Sequence, residues 1–243
     1  MPRSQTTRSP NGITNAAPWQ TMADAGIEDP TWAYVNHHEF DRFAAADWTT
    51  TLVGTGTVAG AAGLNGRITL TTTAGIADAV YLQHAYASQQ FTPGKEHFFK
   101  CLGQLSDVVN DVFYAGLIAT SATPLAAADG VYLLKAAGQS NMTLQSVIGG
   151  VTTSLAIPGS TITAATDFEC GFHITANGDI EAFFNPTTGP NTPVGSVTGR
   201  GPNTVLHAPS LTQVLMNLSV GLLNSTAVAR SATIDYLTSV SHR

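Results

Sequence analysis

Short runs of alternating apolar and polar residues recur from about residue 37 to the end of this chain, each closed by glycine, proline or asparagine. Side chains alternate between faces with period two along a strand, whereas an amphipathic helix needs period 3.6. RITLTTT (67–73) sets Ile68 and Leu70 on one face and Arg67, Thr69 and Thr71 on the other. DAVYLQH (78–84), HFFKCLGQLS (97–106), NMTLQSV (141–147), VTTSLAI (151–157) and SATIDYLTSV (231–240) follow the same theme. VFYAGLIA (112–119) and GVYLLKA (130–136) are more continuously apolar, as central strands covered on both faces are. GLNG, TPGKE, IPGS and NPTTGPNTP supply the turns. LTQVLMNLSVGLL (211–223) is long enough for a helix, but its tail NLSVGLL has strand character, and both assignments stay open. Ten or more antiparallel strands with few helix signals predict an all-β fold. The expected form is a two-sheet antiparallel jelly-roll sandwich over residues 37–243.

Composition narrows the function. A chain of 243 residues can bury a sizeable core, yet only 11% of its residues are charged and its net charge is −6. Nucleic-acid or membrane-surface binding needs a basic patch, and Arg3 and Arg8 are too sparse to make one, so neither partner is expected. No apolar run approaches the length of a membrane-spanning helix. The opening MPRSQTTRSP has no apolar core of the secretory type, and no secretion signal is expected.

Residues 1–36 differ from the rest. They mix Pro, Gly and Asn with isolated Ile13, Trp19, Met22, Ile27 and Trp32, without strand or helix period. Such a segment cannot form a core alone, and leaving its tryptophans in water is unfavourable. It reads as an extended docking arm, with Trp19, Ile27, Pro30 and Trp32 as expected intersubunit contacts.

DFECGFHITANGDIEAFF (167–184) concentrates a cysteine, a histidine and four carboxylates. Asn177-Gly178 between alternating runs signals a hairpin. A two-residue loop would put Glu181 beside Ile174 on the apolar face. A three-residue loop, Ala176-Asn177-Gly178, instead sets Ile174 opposite Ile180, Phe172 opposite Ala182 and Cys170 opposite Phe184. His173 then lies opposite Glu181 on the other face, an ordinary cross-strand pair suited to a subunit seam. Gly171 falls opposite Phe183, whose ring can cover the bare backbone.

No chemistry-bearing pattern survives this reading. Asp179 and Glu181 share a strand face, but Ala182-Phe183-Phe184-Asn185 supplies no third carboxylate for a glycanase strand. His37 and His38 point to opposite faces of a strand, so they cannot easily share a metal ion. Asp107, Asp111 and Asp129 lie near turns, with a spacing that matches no dedicated calcium loop. Cys101 and Cys170 lie far apart and outside any C-x-x-C pair, which argues for buried free thiols over a zinc site or disulfide scaffold. Tyr81, Tyr86, Tyr114 and Tyr132 could stack on sugars, although strand tyrosines more often pack within a sandwich. The expectation is a non-enzyme with no cofactor and no bound metal.

SPNGITNAAPW, DPTWAYVNHHEFDRFAAADWTTTL and the late ATIDYLTSVSHR together resemble tailed-bacteriophage virion proteins with a concanavalin-like (laminin-G-like) jelly roll. The motif carrying the resemblance is Phe40, Asp41 and Phe43 followed by Asp47, Trp48 and Thr49. Tyr114-Ala115-Gly116-Leu117, then Thr120, Thr123 and Pro124, then Asp129-Gly130-Val131-Tyr132 keep the same rhythm. The resemblance implies a capsid decoration or cement protein on the outer head, assembled in host cytoplasm. Its implied partners are the major capsid protein and further copies of itself, a trimer ahead of a dimer. The alternative within the same fold is a glycan-binding, lectin-like module of the tail or capsid surface.

Overall fold

The computed structural model describes residues 33–61, 66–87, 89–92, 94–186, 205–207 and 214–242. Trp19, Ile27, Pro30 and Trp32, expected at subunit contacts, lie outside the described residues. Among the described residues the chain is all-β, with two antiparallel sheets and two 3-10 turns at Ala45–Asp47 and Pro124–Ala126.

The first sheet runs in the order β14 (Val205–His207), β13 (Asp179–Pro186), β12 (Asp167–Ile174), β7 (His97–Leu105), β16 (Ser231–His242), β4 (Arg67–Thr71) and β3 (Thr57–Ala61). β1 (Ala33–Glu39) joins this sheet by pairing with the second half of β16, while β4 pairs with the first half. Ala33 to Asn36, assigned by sequence to the arm, are therefore part of the sandwich. The register of β16 against β7 shifts between Ile234 and Tyr236, a bulge with Asp235 at its centre.

The second sheet runs β11 (Val151–Thr161), β10 (Asn141–Ile148), β9 (Gly130–Lys135), β8 (Asp111–Ala119), β15 (Leu215–Asn224), β5 (Ala79–His84) and β2 (Trp48–Val53), with β6 (Gln89–Gln90) also on β15. The ambiguous 211–223 stretch resolves here. From Leu215 onward it is strand, lodged between β8 and β5, where backbone pairing on both edges overrides a length that would suit a helix.

Alternation builds the core between the sheets. β7 buries His97, Phe99, Cys101 and Leu105 and turns Phe98, Lys100, Leu102 and Gln104 outward. Phe168, Cys170 and Phe172 of β12 meet Phe113, Ala115 and Leu117 of β8 within one apolar cluster. Phe99 stacks on Phe172 at 5.1 Å, and the Phe113 ring meets Phe168 edge-on at 5.7 Å. Each such aromatic contributes roughly 1.5–3 kcal/mol through apolar burial. The motif residues close one end of the sandwich, with the Phe40 ring 5.6 Å from Trp48 and 6.4 Å from Phe43.

Candidate functional site

The outer face of the first sheet carries a lane of paired charges and half-buried aromatics, arranged in three groups. At one end Arg67 of β4 reaches over the sheet. Its Nε donates to Asp235 at 3.0 Å, and its two terminal nitrogens grip the Asp167 carboxylate at 3.2 and 3.0 Å. Gln104 donates to the same carboxylate at 3.2 Å. The hydrogen bonds to Asp167 hold the Arg67 guanidinium above its ordinary pKa. Burial pushes the Asp235 carboxyl up, and Arg67 opposes that push. The bulge in β16 is what brings Asp235 to this position.

In the middle, Glu169 of β12 is held twice. Lys100 of β7 forms an ion pair with it, and the Tyr236 hydroxyl of β16 donates to it. The Lys100 ammonium also lies 5.8 Å over the Tyr236 ring, within cation–π range. Burial, followed by the neighbouring Glu169 charge, drives the Tyr236 phenol well above its usual pKa. It stays a hydrogen-bond donor throughout the physiological range.

At the far end His173 stands between two carboxylates, with Glu96 at 3.6 Å from Nε2 and Glu181 at 3.6 Å from Nδ1. His242 also approaches Glu96, at 3.6 Å. Phe98 lies flat on the His173 ring, 4.1 Å away and 2° from parallel. These separations exceed hydrogen-bond length, so the groups attract chiefly when the imidazoles are protonated.

The expected hairpin register holds. His173 pairs with Glu181, Ile174 with Ile180, Phe172 with Ala182 and Cys170 with Phe184. The loop closes with Thr175 N–H donating to Asp179 O at 2.8 Å, and Gly178 takes φ = 86°. A Cβ on Gly171 would come within 2.1 Å of the Phe183 ring, so this position must be glycine for Phe183 to lie over the strand. Sequence reading named His173 and Glu181 but missed Arg67, Glu96, Lys100, Tyr236 and His242. Three of those strands, β4, β7 and β16, are distant in sequence, and only pairing through β16 aligns them. Asp167 and Glu169, at i and i+2 on β12, were the one legible hint.

The other candidates separate. His37 faces Thr238, 2.5 Å away, and Glu39 at 3.2 Å. His38 turns toward the second sheet, against Trp48 and His84. Asp107 caps its own turn through Val109 N–H at 2.7 Å and pairs with Arg230 at 2.7 Å. Asp129 accepts from Gly149 N–H at 3.0 Å. Asp111 forms an ion pair with Lys135, both side chains fully buried. These three aspartates thus serve separate partners. Among the described residues no group of three or more His, Cys, Asp or Glu is arranged to hold a metal ion. Cys101 and Cys170 are buried free thiols, as expected, but they stand directly opposite each other across β7 and β12.

The centre of the second sheet's outer face is sealed. Tyr81, Tyr114 and Tyr132 form a second apolar cluster with Ile118 and Val147, covered by Leu125 and Ala127. The covering loop is anchored by Gln83, which accepts from Ser121 N–H at 3.0 Å, and by Asn217, which donates to Thr120 at 2.9 Å. A Cβ on Gly221 would come within 2.4 Å of Tyr114 and 2.7 Å of Tyr81, so a bare backbone there makes room for both rings. Of the four tyrosines considered for sugar stacking, Tyr86 alone is exposed, at 69%.

No family model matches the chain, and no curated protein resembles it in sequence. Its fold is shared with solved structures. Peanut lectin aligns over 86% of this chain and 97% of its own, with TM-score 0.54 and 10% identity. The Emp47p carbohydrate recognition domain aligns over 87% and 98%, with TM-score 0.55 and 10% identity. An endo-1,3-beta-glucanase from Streptomyces sioyaensis aligns over 88% and 98%, with TM-score 0.55 and 10% identity. At such identity the likeness establishes a concanavalin-like jelly roll and leaves function to the residues.

Proposed function

We propose that this chain is a non-catalytic carbohydrate-recognition jelly roll that binds through the outer face of its first sheet. The observation that carries the reading is the lane itself. Half-buried Phe98, Phe183 and Tyr236 alternate there with Arg67, Lys100, Glu169 and His173 on a rigid ladder. A sugar offers C–H faces to aromatic rings and hydroxyls to planar polar groups, and this surface supplies both. Peanut lectin and the Emp47p domain lend the analogy of the fold.

The pairing favours binding over hydrolysis. A glycoside hydrolase keeps two carboxylates roughly 5–9.5 Å apart, one of them free to donate a proton. Here Glu169 is engaged by Lys100 and Tyr236, and Asp167 and Asp235 share Arg67. Each is held as an ion-pair partner.

A second reading, a capsid decoration protein on the virion exterior, rests on the sequence resemblance and on the sheet edges. β2 and β3 fall within residues 48–61, and β11 within residues 136–166; neither stretch has a charged side chain. β11 is exposed along most of its length. Uncharged edges suit lateral packing, which charged edge residues normally prevent. On this reading the arm residues Trp19, Ile27, Pro30 and Trp32, with His173 and Glu181, contact the major capsid protein or neighbouring copies in a trimer or dimer.

A glycan array probed with the intact protein tests the first reading. Saturable binding that falls at least tenfold in Phe98→Ala and Lys100→Ala, with unchanged circular dichroism, is expected. Absence of any retained glycan, or binding indifferent to both substitutions, overturns it. The virion reading predicts co-sedimentation with capsids lacking this protein, lost on deletion of residues 1–32.

A further inference from the structure

Cys101 and Cys170, about 70 residues apart in sequence, occupy one rung of the β7–β12 ladder. Both side chains point into the core with no exposure, and both are free thiols. Opposite residues of an antiparallel pair hold their Cα atoms about 4.5 or 5.5 Å apart, and both values lie inside the range that a disulfide spans. Their Cβ atoms stand about 4.5–5.5 Å apart against about 3.8 Å in a disulfide, so closure asks for a local approach of roughly an ångström.

We propose that Cys101 and Cys170 are a covalent modification site, oxidised by a low-molecular-weight disulfide to an intrachain bond that staples β7 to β12 at the centre of the first sheet. The thiolate of one cysteine attacks a sulfur of the small disulfide RSSR, expels RS⁻ and forms a mixed disulfide. The thiolate of the second then attacks the protein sulfur of that mixed disulfide and expels the other RS⁻. Two cysteine thiols and RSSR become one protein disulfide and two RSH. The two electrons pass to the reagent sulfurs, and the two protons end on the released thiols.

Burial sets when this happens. The neighbouring Cys101 thiol and the loss of water hold the Cys170 thiol well above its ordinary pKa, so little thiolate exists in the closed sandwich. Reaction therefore belongs to the folding chain or to openings of the β7–β12 ladder, and the closed reduced protein is inert. Once formed, the bond is shielded by the same packing.

The intact protein is unfolded, refolded in a mixture of reduced and oxidised glutathione, then denatured and alkylated. The expected result is an intact mass lower by two hydrogens with no alkylated cysteine, and a peptide linking Cys101 to Cys170. The oxidised form should melt roughly 10 °C above the reduced form, from the entropy removed by closing so long a loop. Cys170→Ala should abolish that difference. Should this variant fail to fold, the mass and the linked peptide of the unsubstituted protein still decide. Two alkylated cysteines after redox refolding, or a bond found only between chains, overturns the proposal.

Discussion

On the outer face of the first sheet Lys100 pairs with Glu169 and Arg67 with Asp167 and Asp235, all of them partly open to water. On the outer face of the second sheet Tyr81, Tyr114 and Tyr132 are packed beneath a loop. Both faces come from the same strand alternation, so the difference lies in what crosses over them. The 120–129 segment lies on the second sheet and converts its outer side chains into a small additional core. The described residues place no such cover over the lane. A covered face contributes stability and is closed to ligands, whereas an uncovered face of mutually paired charges contributes little stability and stays available for recognition.

Substitutions should separate the two faces by magnitude. Tyr114→Ala on the sealed face should destabilise the protein by roughly 3–5 kcal/mol, the usual cost of emptying a buried aromatic site. Chemical denaturation measures it, and a loss under about 1 kcal/mol would mean that the loop does not seal the cluster.

Acid should act next, through the buried histidines. Burial lowers His97 from 6.5 to about 4, and burial followed by His84 lowers His38 to about 4. Between pH 6.5 and about 4 the unfolded chain binds protons that the folded chain refuses, so stability is full above pH 6.5 and falls as pH drops toward 4. His97 alone accounts for roughly 3 kcal/mol of this loss. His97→Phe should flatten the pH dependence of the melting temperature, and an unchanged slope would sink the assignment.

Lys100→Ala should be the mildest, below about 1 kcal/mol in stability, because its ion pair with Glu169 lies at a part-exposed surface. Its effect belongs in ligand binding. A stability loss like that of Tyr114→Ala would show the lane to be a structural element.

Much of the fold was legible because strand alternation is local. Ile68 and Leu70 against Thr69 and Thr71, and the full register from Cys170 to Phe184, follow from which side chains tolerate water. The 211–223 stretch stayed open because a buried strand and a buried helix share an apolar composition; pairing on both edges of β15 decided it. The lane was illegible for a different reason. Arg67, Lys100, Glu169 and Tyr236 come from four separate strands, and no spacing along the chain encodes their meeting.

The sequence by itself determined the class of fold, the inward and outward faces of each strand, and the hairpin that pairs His173 with Glu181, since each depends on neighbours a few residues away. Only the tertiary structure decided which strands lie side by side. That order sets Cys101 against Cys170, gathers the charged lane on β4, β7, β12 and β16, and folds a loop over the three tyrosines. Strand order is fixed by the packing of whole sheets, and a one-residue pattern repeated along many similar strands carries no instruction about which of them will be neighbours.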